Sequence, residues 1–450
     1  MFLSSLWARK KRRSRNRNVS GDSLEDRTLL AIVSVVVDGN RNAPNVRITG
    51  SAQVDQVGLQ NYRVTNFGSQ GTTFNVTEFG VARGIVSDYV IPHPLNNLTQ
   101  LNVDLGAGND GFALSGTSVT LLNVHDGYSP AEVNTYTIAG GSVQSQNRVS
   151  VIHSADVRLD QGTANFAINQ TAAGALIVNY LRLNYTNTLT TSTSINVGNG
   201  GRVAIGSLSI TSSGANSQDN LNFVAAIPPD VSADLTSYLN VTGSTAINLG
   251  GGNDFFNVGG FVTFNGFTTI DTGDGADTFS TGQEPNLGGP QAPAFDHFSL
   301  RTGNGIDTVS LSEVRVNNSL NVSTGNDADE VRLTHCNIVS GSIIDLGAGP
   351  AVGNLRDTFQ CVSTTATGTM IALSSGPGQF FFEGTQALPL SLGNLYVNAP
   401  SGGVSFGQPQ NPDQGSIGRA FVTGTGPTRL SVRSSGRVTV HLFLTNTMPG

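Results

Sequence analysis

Ile270-Asp-Thr-Gly-Asp-Gly-Ala-Asp-Thr-Phe279 and Leu300-Arg-Thr-Gly-Asn-Gly-Ile-Asp-Thr-Val309 are two copies of one phrase. Val322-Ser-Thr-Gly-Asn-Asp-Ala-Asp-Glu-Val331 is a third, and Ile344-Asp-Leu-Gly-Ala-Gly349 opens another that resumes at Asp357-Thr-Phe359 after an insertion. Working outward, Ile247-Asn-Leu-Gly-Gly-Gly-Asn-Asp-Phe-Phe256 and Val103-Asp-Leu-Gly-Ala-Gly-Asn-Asp-Gly-Phe112 belong to the same set. The template is apolar, variable, Leu or Thr, Gly, variable, Gly, variable, Asp, variable, Phe or Val. Its first glycines fall at Gly250, Gly273, Gly303, Gly325 and Gly347, steps of 23, 30, 22 and 22 residues. A near-fixed period of this size marks an architecture of stacked repeats.

Apolar residues alternate with polar ones on both arms of the phrase. Ile247 and Leu249 precede the glycines, and Phe256 and Val258 follow the Asp. Each unit therefore reads as strand, turn, strand. The glycines permit positive φ in a tight corner, and the Asp can bond that corner's backbone. The expectation is an all-β, parallel β-helix-like solenoid with coils of about 22 residues. Phe112, Phe256, Phe279, Val309, Val331 and Phe359 fall on inward rungs, and Asp271 lies beside Arg301 on a neighbouring lap.

Composition agrees with many turns and short strands. Only 12% of the 450 residues are charged, and glycine is abundant at 55. Residues 1–30 hold eight basic side chains, including both lysines, Lys10 and Lys11. The remainder has sixteen arginines against twenty-eight acids. Such an acidic body is a poor candidate for a nucleic-acid partner, which requires clustered cations; the competing reading gives the basic run of residues 9–17 that role. The chain divides into a segment at 1–31, a β-rich N-terminal cap at 32–100, the repeat solenoid at 101–390 and a β-rich C-terminal cap at 391–450. The caps cover open strand edges. The apolar run Leu29–Val37 is too short to cross a bilayer, and no transmembrane anchor is expected.

The basic run Arg9–Arg17 is followed by Leu24-Glu-Asp-Arg-Thr-Leu-Leu-Ala31. This resembles the N-terminal LExR-x-LL segment of planctomycete surface and secreted proteins, with Asp26 where that segment has Pro. The resemblance covers residues 1–31 and implies export or surface display. The location expected from it is extracellular or at the cell surface.

The Gly-x-Gly-x-Asp-x-Phe corner resembles the RTX-type nonapeptide, whose stacked corners hold calcium through Asp carboxylates and turn carbonyls. The matching aspartates are Asp110, Asp254, Asp277, Asp307, Asp329 and Asp357. The calcium site this implies is built from Asp254, Asp277, Asp307 and Asp329, with the carbonyls of Gly273, Gly303 and Gly325. Here Leu or Thr replaces the leading glycine, and the motifs stand a lap apart rather than in tandem. In the alternative, each Asp caps its own turn.

Other constellations carry less. Gly106-Ala-Gly-Asn-Asp-Gly111 spells a dinucleotide fingerprint, but that motif needs a helix next and the following residues read as strand. Gly403-Val-Ser-Phe-Gly407 spells a nucleophile elbow without the helix it requires. The six histidines lack ligand spacing for zinc. Cys336 and Cys361 lie at offsets that leave both thiols free. No motif commits the chain to catalysis. The function expected is structural or adhesive, stabilised by calcium, with cell-surface or matrix components as partners, polysaccharide among them. The alternative is a carbohydrate-active β-helix enzyme, lyase or hydrolase, which requires two converging carboxylates.

Overall fold

A computed structural model describes the strands between Ser34 and Thr445 and most of the corners joining them. Residues 1–33, 424–441 and 446–450 lie outside the description, as do segments including 64–69, 227–237, 283–292, 350–355 and 407–414. The proposed export segment therefore lies outside the described residues. Those described contain strands and no helix. They form a parallel β-solenoid made of one sheet of 18 strands and one of 15.

The repeat phrase sets the register. In the smaller sheet, Leu221 pairs with Phe256, then Phe279, Val309, Val331, Phe359, Phe380 and Val404, all in parallel. Every one of these side chains is buried. The expected rungs are thus present, and Phe112 belongs to the same column, which runs through Tyr136, Phe166 and Thr193 to Leu221. Phe223, Phe256 and Phe279 meet edge to face with centroids 5.0 and 5.3 Å apart. Such contacts add about 0.5–1.5 kcal/mol beyond the area they bury.

The larger sheet shows something that the two-armed reading does not contain. In Gly174–Thr186 the inward residues are Leu176 and Val178, then Leu181, Leu183 and Tyr185. The alternation slips by one residue between Val178 and Leu181, so the strand bends there and presents two limbs. The bend recurs between Phe264 and Thr268 and between Val316 and Leu320, where four residues separate the inward positions and the alternation keeps its phase. The strands Tyr238–Val241 and Thr245–Asn248 are one such lap already broken into its limbs, both pairing with Gly201–Ser212. Each lap therefore has three strand segments, and the cross-section has three faces. Gly206, Gly243 and Gly266 mark the bend in consecutive laps; a Cβ on Gly266 would lie 2.4 Å from the Gly243 carbonyl oxygen.

The parallel stack also runs beyond residue 390. Leu390–Asn398, Gly415–Thr423 and Leu442–Thr445 continue the larger sheet, and Gly403–Phe406 continues the smaller. Residues 391–450 thus include further laps. At the other end, Ser34–Asn40 pairs antiparallel with Ala43–Thr49, and Asp55–Arg63, Gln70–Glu78 and Val86–Ile91 form an antiparallel meander. Ala43–Thr49 and Asp55–Arg63 then join the parallel laps. Antiparallel pairing at the end of a parallel stack turns the open edge back on itself.

Phe279 is fully buried, so Phe279→Ala should cost about 3–5 kcal/mol by creating a cavity between rungs. Val309→Asp should cost more, because it sets an unpaired charge in the same column. Urea unfolding followed by circular dichroism measures both.

Candidate functional site

The corner between the two sheets is built on backbone that only glycine adopts easily. Gly273 and Gly303 have φ of 92° and 87°. A Cβ on Gly303 would also fall 1.8 Å from the carbonyl oxygen of Gly273. Two separate constraints, positive φ and the stacking distance between laps, thus require glycine here.

Positive φ interrupts the strand ladder, leaving corner amides in need of acceptors. The Asp that recurs in each phrase meets that need. Asp277 Oδ1 accepts the Asp254 amide at 2.8 Å, Asp307 Oδ1 the Asp277 amide at 2.9 Å, and Asp329 Oδ1 the Asp307 amide at 3.0 Å. Asp254 does the same for Asp219, and Asp357 for Asp329 at 3.4 Å. The result is a continuous ladder of carboxylates, each reaching back one lap. The Leu/Thr choice in the template now has a reason. Thr272 and Thr302 point inward and donate their hydroxyls to Oδ2 of Asp277 and Asp307, at 2.5 Å each. Leu249 takes the same inward position in its lap, and Oδ2 of Asp254 is left buried without a partner. In the Leu346 lap, Ser374 from the next lap donates to Asp357 instead, at 2.9 Å.

Burial disfavours the charged form of these carboxyls. It raises Asp254 to about 8 and Asp307 and Asp329 to about 7, with neighbouring ladder carboxylates adding to the effect. Asp219, Asp277 and Asp357 shift in the same direction for the same leading reason. The donors facing the ladder, amide N–H and hydroxyl O–H, suit a carboxyl acceptor rather than a cation.

This geometry bears directly on calcium, which wants six to eight oxygens free to converge. The carboxylates of Asp254, Asp277, Asp307 and Asp329 turn into the solenoid, and Oδ1 of each is committed to an amide. The carbonyls of Gly303 and Gly325 accept N–H bonds from Asn326 and Ala348 at 3.3 and 2.9 Å. Among the described residues, no three His, Cys, Asp or Glu side chains are grouped to hold a metal. The residues present do not fit the ion. They fit turn capping, but across laps rather than within one turn.

The remaining candidates are placed as follows. Gly106–Gly111 leads into the strand Gly111–Ser115, and Ser405 lies within the strand Gly403–Phe406. Asp271 and Arg301 are paired in register on the outer face, as expected. Cys336 and Cys361 are free and buried, and burial pushes the Cys336 thiol up to about 11. His125 sits between Asp104 and Asp160 at 3.7 and 3.4 Å on an exposed edge.

A second place of interest escaped the repeat phrase. A groove of about 400 Å³ lies on the outside of the bend, lined by Asp156, Tyr180, Arg182, Ser207, Ser209 and Ser244 among others. Its signal in the sequence is weak: Tyr180 is one outward aromatic inside an otherwise ordinary strand. Comparison with family models, curated proteins and solved structures finds nothing similar to this chain.

The raised carboxyls give a pH dependence with a definite sign. Well below pH 4 the ladder is protonated both folded and unfolded. As pH rises, the unfolded chain releases these protons while the folded chain retains them, so stability falls until the folded values near 7 to 8 are passed. The midpoint of thermal unfolding should be higher at pH 5 than at pH 8.5, and Asp307→Asn, which keeps the acceptor without the charge, should flatten the difference. A melting series in a constant-ionic-strength buffer reads this directly.

The same instrument separates capping from metal binding. Millimolar calcium and a chelator should give the same midpoint for the unaltered chain. A metal bound only to the folded state at one hundred times its Kd would instead add about 2.7 kcal/mol, and Asp307→Asn would remove that gain.

Proposed function

We propose that the chain is an exported or cell-surface structural solenoid whose outer faces serve adhesion. The observation that carries this reading is the disposition of polar groups. The repeated acids are consumed in the frame, while the outside carries neutral amide pairs that bridge adjacent laps. Asn123 donates to Asn102, Asn196 to Asn169, Asn257 to Asn222 and Asn265 to Asn240, at 2.8 to 3.1 Å. Such pairs tie one lap to the next through uncharged groups on the outer face. The resemblance of residues 1–31 to a surface-protein segment supports the location.

The enzyme alternative asks for two carboxylates converging in a cleft. The groove at the bend is lined by one carboxylate, Asp156. It accepts bonds from Arg158 at 3.0 Å and Asn184 at 3.3 Å. That arrangement favours binding over hydrolysis.

Cell fractionation of a tagged chain should recover it outside the cytoplasm, and deletion of Met1–Leu30 should retain it inside. Recovery in the cytoplasm with or without those residues overturns the proposed location.

A further inference from the structure

We propose that the groove at the bend binds an extended polysaccharide, which lies along the solenoid axis from Tyr180 to the ring pair Phe267–His297. The inference deepens the adhesive reading and rests on it for its biological setting, but its physical basis is separate.

The register places the parts on one outward column. Ser154 pairs with Tyr180 and Tyr180 with Ser207. The pairings of Leu208 with Thr245 and of Thr245 with Thr268 bring Ser207, Ser244 and Phe267 into line, and Phe267 pairs with His297. Tyr180 is 64% exposed and Phe267 67%. Phe267 stacks on His297 with centroids 4.3 Å apart and planes 11° apart. It stands where the register shifts between Phe264 and Phe267, beside the inward Thr268. Three laps separate the two aromatic stations, roughly 14 Å at about 4.8 Å per lap.

Between the stations the floor is small and hydroxyl-bearing: Ser207, Ser209 and Ser244. One step across the strand, Asp156, Arg182 and Ser209 form the adjoining column. Asp156 is held by Arg158 and Asn184, and His153 and Asn179 meet at 3.0 Å on the neighbouring rim. Arg182 lines the groove as its cation.

This set matches the chemistry of a sugar chain. A pyranose ring offers an apolar C–H face, which suits a flat exposed aromatic, and a belt of hydroxyls, which suits Ser, Arg and Asp. Ligand sites combine apolar walls with a few placed polar groups in this way. A protein partner would require a broader apolar centre, whereas here apolar stations alternate with hydroxyls along a line. A linear polymer of rings repeats along its length as the laps do.

The test is affinity electrophoresis of the full chain in native gels containing polygalacturonate, xylan or hydroxyethyl cellulose. Retardation is expected in at least one gel. The double variant Tyr180→Ala with Phe267→Ala should weaken the apparent Kd at least about tenfold. Tyr396→Ala, which removes an exposed aromatic from a different column, should bind like the unaltered chain. Melting curves confirm that each variant folds. Free migration of the unaltered chain in all three gels overturns the proposal, as does a double variant that binds normally. Fractionation of the same variants keeps the readings apart: a chain that reaches the surface but does not bind fails the groove and leaves the location standing.

Discussion

A buried carboxyl that reaches back one lap to accept a backbone amide is the contact on which this structure depends. The corner needs positive φ to turn the chain within a few residues, and positive φ interrupts the ladder that would otherwise satisfy the amides. An amide left buried without an acceptor costs about 1–3 kcal/mol. With five successive amides from Asp219 to Asp329 at stake, the corner could not be stacked without a substitute. The Asp side chain is that substitute, and the inward hydroxyls of Thr272 and Thr302 support it in their laps. The arrangement carries a cost of its own, because each carboxyl is desolvated and sits near the next. Retaining protons lowers that cost, which is why burial raises every carboxyl of the ladder above the usual carboxylate range.

Much of this was legible in the sequence. Glycine spacing gave the laps, alternation gave the inward rungs, and the offset of Cys336 from Cys361 gave two free thiols. The register of Phe279, Val309, Val331 and Phe359 follows from the phrase alone. Three features were not legible, each for a physical reason. The bend in the larger sheet is a one-residue slip in alternation in Gly174–Thr186 but leaves the alternation in phase in Val262–Asp271, so no single sequence pattern marks it. The direction of the ladder aspartates is invisible because an Asp that caps an amide and an Asp that binds a cation occupy the same place in a Gly-x-Gly-x-Asp phrase. The laps beyond residue 390 lack that phrase, so strands such as Leu390–Asn398 resemble a cap until their parallel partners are known.

The division of labour between inside and outside frames the functional reading. Inside, aromatic rungs, Thr hydroxyls and Asp carboxyls are committed to holding laps together. Outside, the surface is built of columns, since each outward position is repeated from lap to lap at about 4.8 Å. Some carry neutral amides and hydroxyls, and others carry charges such as Asp271 and Arg301. The column through Tyr180 and Phe267 exposes aromatic rings above a serine floor. A stacked frame can vary one outward column without touching its rungs, and this is how a structural solenoid acquires a binding surface.

The central claim is that corners, as well as strands, lock one lap to the next. Residue-resolved amide hydrogen exchange on the deuterated chain tests it most directly. The amides of Asp254, Asp277 and Asp307 lie outside the strands and donate to carboxyls, and they should exchange as slowly as the strand amides of Phe279 and Val309. Rapid exchange at these three positions, with protection confined to the strands, would contradict the account.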